Sequence, residues 1–248
     1  MKPAIQIYPL PGLPEVLAGD DIARLIIEAA KNFRIESGDV FVVAQKIVSK
    51  AEGRVIALDS VAPSERVRAW AQEWGKDARV IELVLRESKR IVRMEKGVIV
   101  AETAHGFVCA NAGIDVSNAP DGTAILLPRD PDASARTLQM RLSESFGVPV
   151  GLIVSDTFGR AWREGLVNVA LGVAGLAPLV DYRGQRDANG KLLQATVIAL
   201  ADELASAAEL AMGKSDRVPV VIIRGVTPQS REGSGLDLIR PAERDLFR

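Results

Sequence analysis

Three continuous apolar runs constrain the fold of this chain most strongly. Residues 40–43, 150–154 and 218–223 are almost wholly aliphatic or aromatic and lack polar alternation. Such runs are typical of buried strands. Amphipathic helical patterns occupy about residues 20–32, 64–74, 78–88 and 131–146, and an alanine-rich helix is predicted to follow a strand within residues 196–210. Strands and helices alternate loosely along the chain, so we predict an α/β or α+β fold.

Composition excludes several classes of protein. A chain of 248 residues with 48% hydrophobic and 25% charged residues can bury a core as one large domain or two small ones. The net charge of −1 gives no reason to expect a nucleic-acid partner. No apolar stretch reaches membrane-spanning length and the N-terminus lacks a signal-peptide pattern, so we expect a cytoplasmic protein without a membrane partner.

Two acidic stretches are the strongest functional signal. Asp115 lies within residues 111–118, and Asp156 follows the apolar run 150–154, with Thr157 and Gly159 close behind. We predict that Asp156 stands at the end of its strand. Carboxylates among small and hydroxyl-bearing residues suit a hard cation such as Mg²⁺ or Mn²⁺ together with phosphate. With one histidine and one cysteine in the chain, a cysteine-based zinc cluster is excluded.

Other polar groups leave alternatives open. Lys46, Ser49 and Lys50 follow the first buried run and either meet phosphates or form a solvated strand end. The pair His105 and Cys109, four apart on a predicted strand, is either a nucleophilic pair or, as we favour, a histidine beside a small buried hydrophobe. The glycines of residues 165–180 imply close backbone packing, and residues 181–191 form a polar loop or hairpin. No P-loop pattern occurs in the sequence.

Several motifs in order resemble one family. They are residues 13–15 after a Pro/Gly loop, 49–54, 111–118, 130–134, 156–160, 201–203 and 212–214. Together they resemble the coenzyme F420-0:L-glutamate ligases, gamma-glutamyl ligases of deazaflavin biosynthesis, from about residue 5 to residue 224. The resemblance implies an unusual α/β fold of two intimately packed subdomains, with residues 1–226 as the catalytic unit. Residues 227–248 are polar and glycine-containing, and we predict that they form a mobile tail.

The resemblance also implies an activity. The expected reaction joins L-glutamate to F420-0 through an amide bond, consumes GTP, and releases GDP and phosphate by way of an acyl phosphate; further rounds add γ-linked glutamates. Mg²⁺ or Mn²⁺, with K⁺ as a further ion, and a homodimer are expected. In the family the ligase unit also occurs fused to a flavin-dependent reductase, and no reductase activity is expected of this chain.

The site residues follow from the matching motifs. Asp115, Asp156 and Thr157 are the expected metal ligands, and Asp115, Asp156 and Arg160 the expected catalytic residues. The expected nucleotide-binding residues are Leu13, Pro14, Glu15, Val16, Gln45, Lys50, Asn118, Met212, Gly213, Lys214 and Ser215. One position departs from the pattern: some family members have an acidic metal-binding residue where this chain has Lys214, which puts a further protein ligand in doubt.

Three points stay open from sequence. Arg160 and Arg163 either bind phosphates or acidic substrate groups, or pair with Asp156 or Asp187. Residues 181–191 are a candidate lining for an acceptor site. Without the resemblance, a metal-dependent phosphohydrolase or a GTP-binding regulatory subunit would be the alternative function.

Overall fold

A computed structural model describes residues 3–95, 97–117, 119–227 and 232–246. Its helices are α1 (Ile22–Ala29), α2 (Gln45–Ala51), α3 (Glu65–Trp74), α4 (Ala78–Glu87), α5 (Pro131–Phe146) and α6 (Leu200–Met212). Its strands are β1 (Gln6–Pro9), β2 (Val40–Ala44), β3 (Val55–Ala57), β4 (Ser88–Glu95), β5 (Val98–Thr103), β6 (Val108–Ala110), β7 (Thr123–Ile125), β8 (Gly151–Arg160), β9 (Arg163–Ala174), β10 (Val180–Asp181), β11 (Val197–Ile198) and β12 (Val220–Arg224). No helix in these ranges is long and apolar enough to cross a membrane.

A five-stranded sheet carries the larger core. Its strand order is β1-β12-β2-β8-β9, and only β2 and β8 run parallel. Phe41 and Val43 face a layer that contains α1 and α5, whereas Val40 and Val42 face α6 on the opposite side. The sheet is therefore covered on both faces, which explains why its central strands are continuously apolar.

A second core lies between α2 and α5 in the sequence. It contains α3, α4, the antiparallel pair β3-β7 and the three-stranded sheet β4-β5-β6. Ile81, Val84 and Ile99 are among its buried side chains. Together with the mixed sheet, this confirms the predicted α/β fold class.

The predicted helices are confirmed, and their caps follow from local sequence. Asp21, Ser64 and Asp130 accept backbone N–H bonds at the starts of α1, α3 and α5. Gly213 ends α6, as its position predicts. Residues 181–191 fold as the predicted loop or hairpin, since Arg186 forms an antiparallel bridge with Leu192 and the Asp187 backbone N–H donates to the Lys191 carbonyl. The short antiparallel pair β10-β11 flanks this segment.

One open alternative is excluded and two local expectations are wrong. The segment after β2 is helix α2, which excludes the alternative of a solvated strand end. Asp156 does not end its strand, because β8 continues to Arg160 by pairing with β9. His105 lies in a turn, so His105 and Cys109 do not share a strand. In each case a tertiary partner supplies hydrogen bonds or packing that residue types alone do not reveal.

Glycines in β9 and directly after it allow neighbouring backbone segments to approach closely. A Cβ on Gly172 would stand 2.1 Å from the carbonyl oxygen of Pro131, and one on Gly175 would stand 2.5 Å from the carbonyl oxygen of Val150. The predicted close packing is confirmed at these two positions. A Cβ on Gly165 would meet only the far end of a side chain.

The described part of the C-terminal segment, residues 232–246, packs against this layer. The buried Asp132 carboxylate accepts bonds from Ser234 Oγ at 2.6 Å and from the Gly235 backbone N–H at 2.8 Å. A short 3-10 helix, Gly235–Leu238, follows. Residues 234–238 of the predicted polar tail are therefore bonded to the fold.

Candidate active site

A cleft of about 570 Å³ lies where the first core meets the end of α6. Twelve of the predicted site residues line it: Leu13, Pro14, Glu15, Val16, Gln45, Lys50, Asp156, Thr157, Met212, Gly213, Lys214 and Ser215. They come from the loop after β1, from α2, from β8 and from the turn after α6. The structure thus brings together segments that are up to 200 residues apart, and the cleft is of the size that small-molecule sites require.

Asp156 is the carboxylate that the protein surrounds most closely in this cleft. Burial raises its pKa from 3.8 to about 6, and the charge of Asp115 acts in the same direction. A backbone hydrogen bond at Thr157, the charge of Lys46 and the Gln45 side chain oppose the shift. A cation placed here would stabilise the ionised form, because an adjacent positive charge offsets the cost of burying a carboxylate.

Asp115 lies in a different environment. Its Oδ2 is 2.5 Å from Lys46 Nζ, and its Oδ1 accepts a bond from the Ser117 backbone N–H at 2.6 Å. Burial acts to raise the pKa of Asp115, but the bonds to Lys46 and Ser117 outweigh it and lower the pKa below 3.8. Asp115 does not line the cleft itself, yet its partner Lys46 does.

Each lysine of the cleft is paired with a carboxylate. Lys46 pairs with Asp115 and Lys50 with Glu15, both at 2.5 Å, and Lys214 Nζ lies 2.8 Å from Glu209 Oε1. An anionic ligand such as a phosphate can therefore replace these carboxylates as the partner of the lysine ammonium groups.

A ring of hydrogen bonds closes the end of the cleft. Lys214 Nζ donates to Thr157 Oγ1 at 2.8 Å, and Thr157 donates to Asn168 Oδ1 at 2.7 Å. Asn168 Nδ2 donates to Glu209 Oε2 at 2.9 Å. Glu209 Oε1 in turn accepts from Lys214 Nζ, which completes the ring. Four side chains from β8, β9, α6 and the following turn thereby fix one another.

Sequence reasoning missed several members of this site. Asn168 and Glu209 were not predicted, and Lys46 was noted only as one of two lysines after a strand. The signal for Asn168 is a lone amide in an otherwise apolar strand, which usually means a buried partner. Glu209 stands three residues before Met212, one helical turn away on the same face of α6.

One further predicted residue lies away from the cleft. Arg160 is exposed at the tip of the β8-β9 ribbon, where its guanidinium donates to the backbone carbonyls of Glu164 and Gly165. It therefore pairs with neither Asp156 nor Asp187. Asn118 lies outside the residues that the structure describes. The hairpin residues 181–191, although described throughout, do not line the cleft.

The cysteine is not a nucleophile here. Burial and the nearby Asp156 charge raise the pKa of Cys109 to about 12, so its thiol is protonated at neutral pH. The ring of His105 stacks on Phe107, and its Nε2 lies 3.0 Å from the Arg129 carbonyl oxygen. The interpretation of Cys109 as a small buried hydrophobe therefore holds.

The donor set fits a hard divalent cation that is shared with a ligand. Within residues 3–95, 97–117, 119–227 and 232–246, no group of three or more His, Cys, Asp or Glu side chains is arranged to hold a metal. Mg²⁺ typically takes one or two carboxylates and completes its shell with water and substrate phosphates, and Asp115 and Asp156 meet that need. Ser155 Oγ lines the same cleft and is buried without a hydrogen-bond partner among the described residues. Such a group suits a polar ligand.

Comparison with known proteins decides the family. The model of the F420-0:gamma-glutamyl ligase family matches residues 12–225. The chain belongs to this family. It is 49% identical to the coenzyme F420:L-glutamate ligase of Methanopyrus kandleri over 99% of this chain and 98% of that protein. It is also 49% identical to the enzyme of the same name from Methanothermobacter thermautotrophicus and 44% identical to that of Methanocaldococcus jannaschii, covering 98% and 95% of this chain and 99% and 94% of those proteins.

Membership makes this chain an enzyme of the ligase class. All residues predicted for the site lie within the span that the family model matches. The cleft therefore belongs to the gamma-glutamyl ligase unit rather than to an added segment.

Proposed function

We propose that the protein is a GTP-dependent ligase that adds L-glutamate to coenzyme F420-0, forming F420-1, GDP and phosphate, and then lengthens a γ-linked tail. The relatives' names supply the substrate class. The observation that carries the proposal is the convergence of three distant segments on one cleft. These segments are the loop of residues 13–16, the Asp156 strand and the turn after α6. Three lysines and the carboxylate of Asp156 meet there.

GTP binding is assigned to the cleft. Residues 13–16, Gln45, Lys50 and residues 212–215 would surround the nucleotide, and Asn118 is a further contact expected from the resemblance. Lys46 and Lys50 would exchange their carboxylate partners for phosphate oxygens. Because both ion pairs reach the cleft surface, that exchange does not open the core.

Mg²⁺ or Mn²⁺ is assigned to Asp115 and Asp156, with Thr157 as the third ligand expected from the resemblance; K⁺ is a further expected ion. When bound, the divalent cation neutralises charge on the transferring phosphate oxygens. Asp115 is held ionised by its contact with Lys46, and a bound cation would further favour the ionised form of Asp156.

The chemistry proceeds in two steps. A carboxylate oxygen of F420-0 attacks the γ-phosphorus of GTP, and the bond to the β–γ bridging oxygen breaks, which gives an acyl phosphate and GDP. The amine of L-glutamate then attacks the acyl carbon, phosphate leaves and the amide forms with loss of a proton. The protein contributes chiefly by positioning these groups and by neutralising their charge.

A homodimer is part of the proposal. Beyond Ser155, β8 pairs with β9 alone among the residues that the structure describes, and this ribbon exposes Trp162 and Leu166 at 73% and 66% of their surface. Exposed apolar side chains on a projecting ribbon suit contact with a second copy. Such a contact would also carry Arg160, the third expected catalytic residue, towards a neighbouring cleft. A cytoplasmic location, where GTP is available, completes the proposal.

The test is product analysis. Purified protein is incubated with GTP, Mn²⁺, F420-0 and L-glutamate, and mass spectrometry follows the mass of one added glutamate. The proposal expects an adduct that requires all four components. GTP hydrolysis without adduct would favour a phosphohydrolase, and GTP binding without turnover would favour a regulatory subunit; either result would overturn the proposal.

A further inference from the structure

The Lys214 ammonium lies where a cation bound by Thr157 and Glu209 would lie. Its Nζ is 2.8 Å from Thr157 Oγ1 and 2.8 Å from Glu209 Oε1. A hydroxyl oxygen and a carboxylate oxygen are both oxygen ligands of the kind that a hard cation takes. Asp156, Thr157 and Lys214 all line the cleft, so this ammonium shares the cleft with the carboxylate to which the proposed function assigns the metal.

The ring of hydrogen bonds leaves these oxygens little capacity for a metal. The Thr157 hydroxyl gives its proton to Asn168 and accepts from Lys214. Both oxygens of Glu209 are also engaged, one by Lys214 and the other by the Asn168 amide. A second divalent cation would therefore have to displace the ammonium and break two hydrogen bonds of the ring.

An isolated surface ion pair would not carry this argument, because exposed pairs contribute little. The Lys214 side chain is 61% exposed, but Glu209 is 24% exposed, and the Asn168 that joins the ring is buried. The contact to Thr157 comes from a residue 57 positions away in the chain, on the far wall of the same cleft. The ammonium thus has defined partners on both walls.

We infer that Lys214 takes the place of a second cation, so that each cleft binds one divalent cation, held by Asp115 and Asp156, rather than two. The inference rests on the proposed function, since it counts metal ions at the proposed metal site. On this inference Thr157 is not a metal ligand, and its hydroxyl instead accepts a hydrogen bond from Lys214. The positive charge at this end of the cleft is then supplied by the chain itself.

The experiment counts Mn²⁺ per chain. The full-length protein is dialysed against Mn²⁺ in the presence of saturating GDP, and bound and free Mn²⁺ are measured by electron paramagnetic resonance. Wild type is expected to bind one Mn²⁺. Lys214→Glu, which replaces the ammonium with a carboxylate and frees Thr157 and Glu209, is expected to bind two.

Arg217→Glu is the matched control, because it makes the same change of charge on the same turn and Arg217 also lines the cleft. It is expected to keep one Mn²⁺; a gain to two would assign the effect to charge in general and overturn the inference. Thermal unfolding confirms that the variants are folded. Should Lys214→Glu fail to fold, Lys214→Gln frees the same two oxygens and carries the same expectation of two Mn²⁺.

Two outcomes separate the inference from the proposed function. Two Mn²⁺ on wild type, or one on Lys214→Glu, overturns the inference and leaves the metal site of the proposed function intact. No Mn²⁺ on wild type contradicts the proposed metal site itself, and the inference falls with it.

Discussion

Asp115 and Asp156 are two carboxylates of one site whose pKa values are shifted in opposite directions. Lys46 and a backbone N–H hold the pKa of Asp115 below 3.8, whereas burial raises the pKa of Asp156 to about 6. Asp115 is therefore ionised before any ligand arrives, and Asp156 lacks the cation that would compensate its charge. The difference teaches that similar acidic stretches in a sequence can have different tasks once the fold surrounds them.

The largest expected effect is on activity. Asp156→Asn removes the carboxylate that needs a cation most, so we expect glutamate addition and Mn²⁺ affinity to fall by more than about 100-fold, since loss of an outer-shell partner alone costs about 10–100-fold. Turnover is measured by mass spectrometry of the product and affinity by Mn²⁺ titration. A variant that keeps a tenth of the wild-type turnover would show that Asp156 is not a metal ligand.

The same substitution should stabilise the ligand-free protein. Because the folded-state pKa of about 6 exceeds the unfolded value of 3.8, the folded state binds more protons between these values, and wild-type stability falls as pH rises through this window. Asp156→Asn lacks that penalty. We expect its free energy of unfolding to exceed that of wild type by up to about 3 kcal/mol at pH 7, and the gain to vanish below about pH 4.

Urea unfolding of the metal-free protein at pH 4 and pH 7 measures this gain. Asp115→Asn is the matched control, and its stability should differ from wild type by no more than about 1 kcal/mol because it removes a partly exposed ion pair. An Asp156→Asn variant that is less stable than wild type at pH 7 would contradict the account of Asp156.

The affinity for Mn²⁺ should depend on pH through Asp156 rather than through Asp115. Because only ionised Asp156 binds a cation, the affinity of wild type for Mn²⁺ should rise about fivefold from pH 5 to pH 6 and level off above about pH 7. Asp115→Asn should bind more weakly at every pH and keep this rise. If Asp115→Asn abolished the rise, the two carboxylates would have been assigned the wrong way round.

The smallest expected effect concerns Lys46. Its ammonium competes with a metal for Asp115, so Lys46→Met should bind Mn²⁺ in the absence of nucleotide a few-fold more tightly, about 1 kcal/mol, the size of a half-exposed ion pair. With GTP present the variant should instead have a higher KM, because a phosphate partner is lost. Lys50→Met is the control for nucleotide binding alone: it should raise KM without changing the Mn²⁺ affinity, since Lys50 pairs with Glu15.

Sequence reasoning predicted the parts of this molecule that depend on local pattern. The runs in β2, β8 and β12 are apolar because both sheet faces are buried, and capping residues such as Ser64 and Asp130 locate helix starts. The resemblance supplied most of the residues that line the cleft. These residues belong to motifs whose order and spacing can be read directly from the sequence.

Contacts between segments that are far apart in the chain could not be predicted from local sequence patterns. β8 continues past Asp156 because β9 pairs with it, and residues 232–246 pack because Ser234 and Gly235 reach Asp132, about 100 residues earlier. The roles of Asn168 and Glu209 likewise appear only when β9 and α6 meet Lys214. Each of these depends on contacts between distant segments, and residue types at either end do not specify them.

The most direct test of the account is the position of the metal. Crystals grown with Mn²⁺ and GDP would be measured at the manganese absorption edge, where anomalous scattering locates the ion. The account predicts one strong peak within about 2.5 Å of carboxylate oxygens from both Asp115 and Asp156, with Lys46 moved away from Asp115. A peak that touches neither carboxylate, or an ordered GDP with no peak beside them, would contradict it.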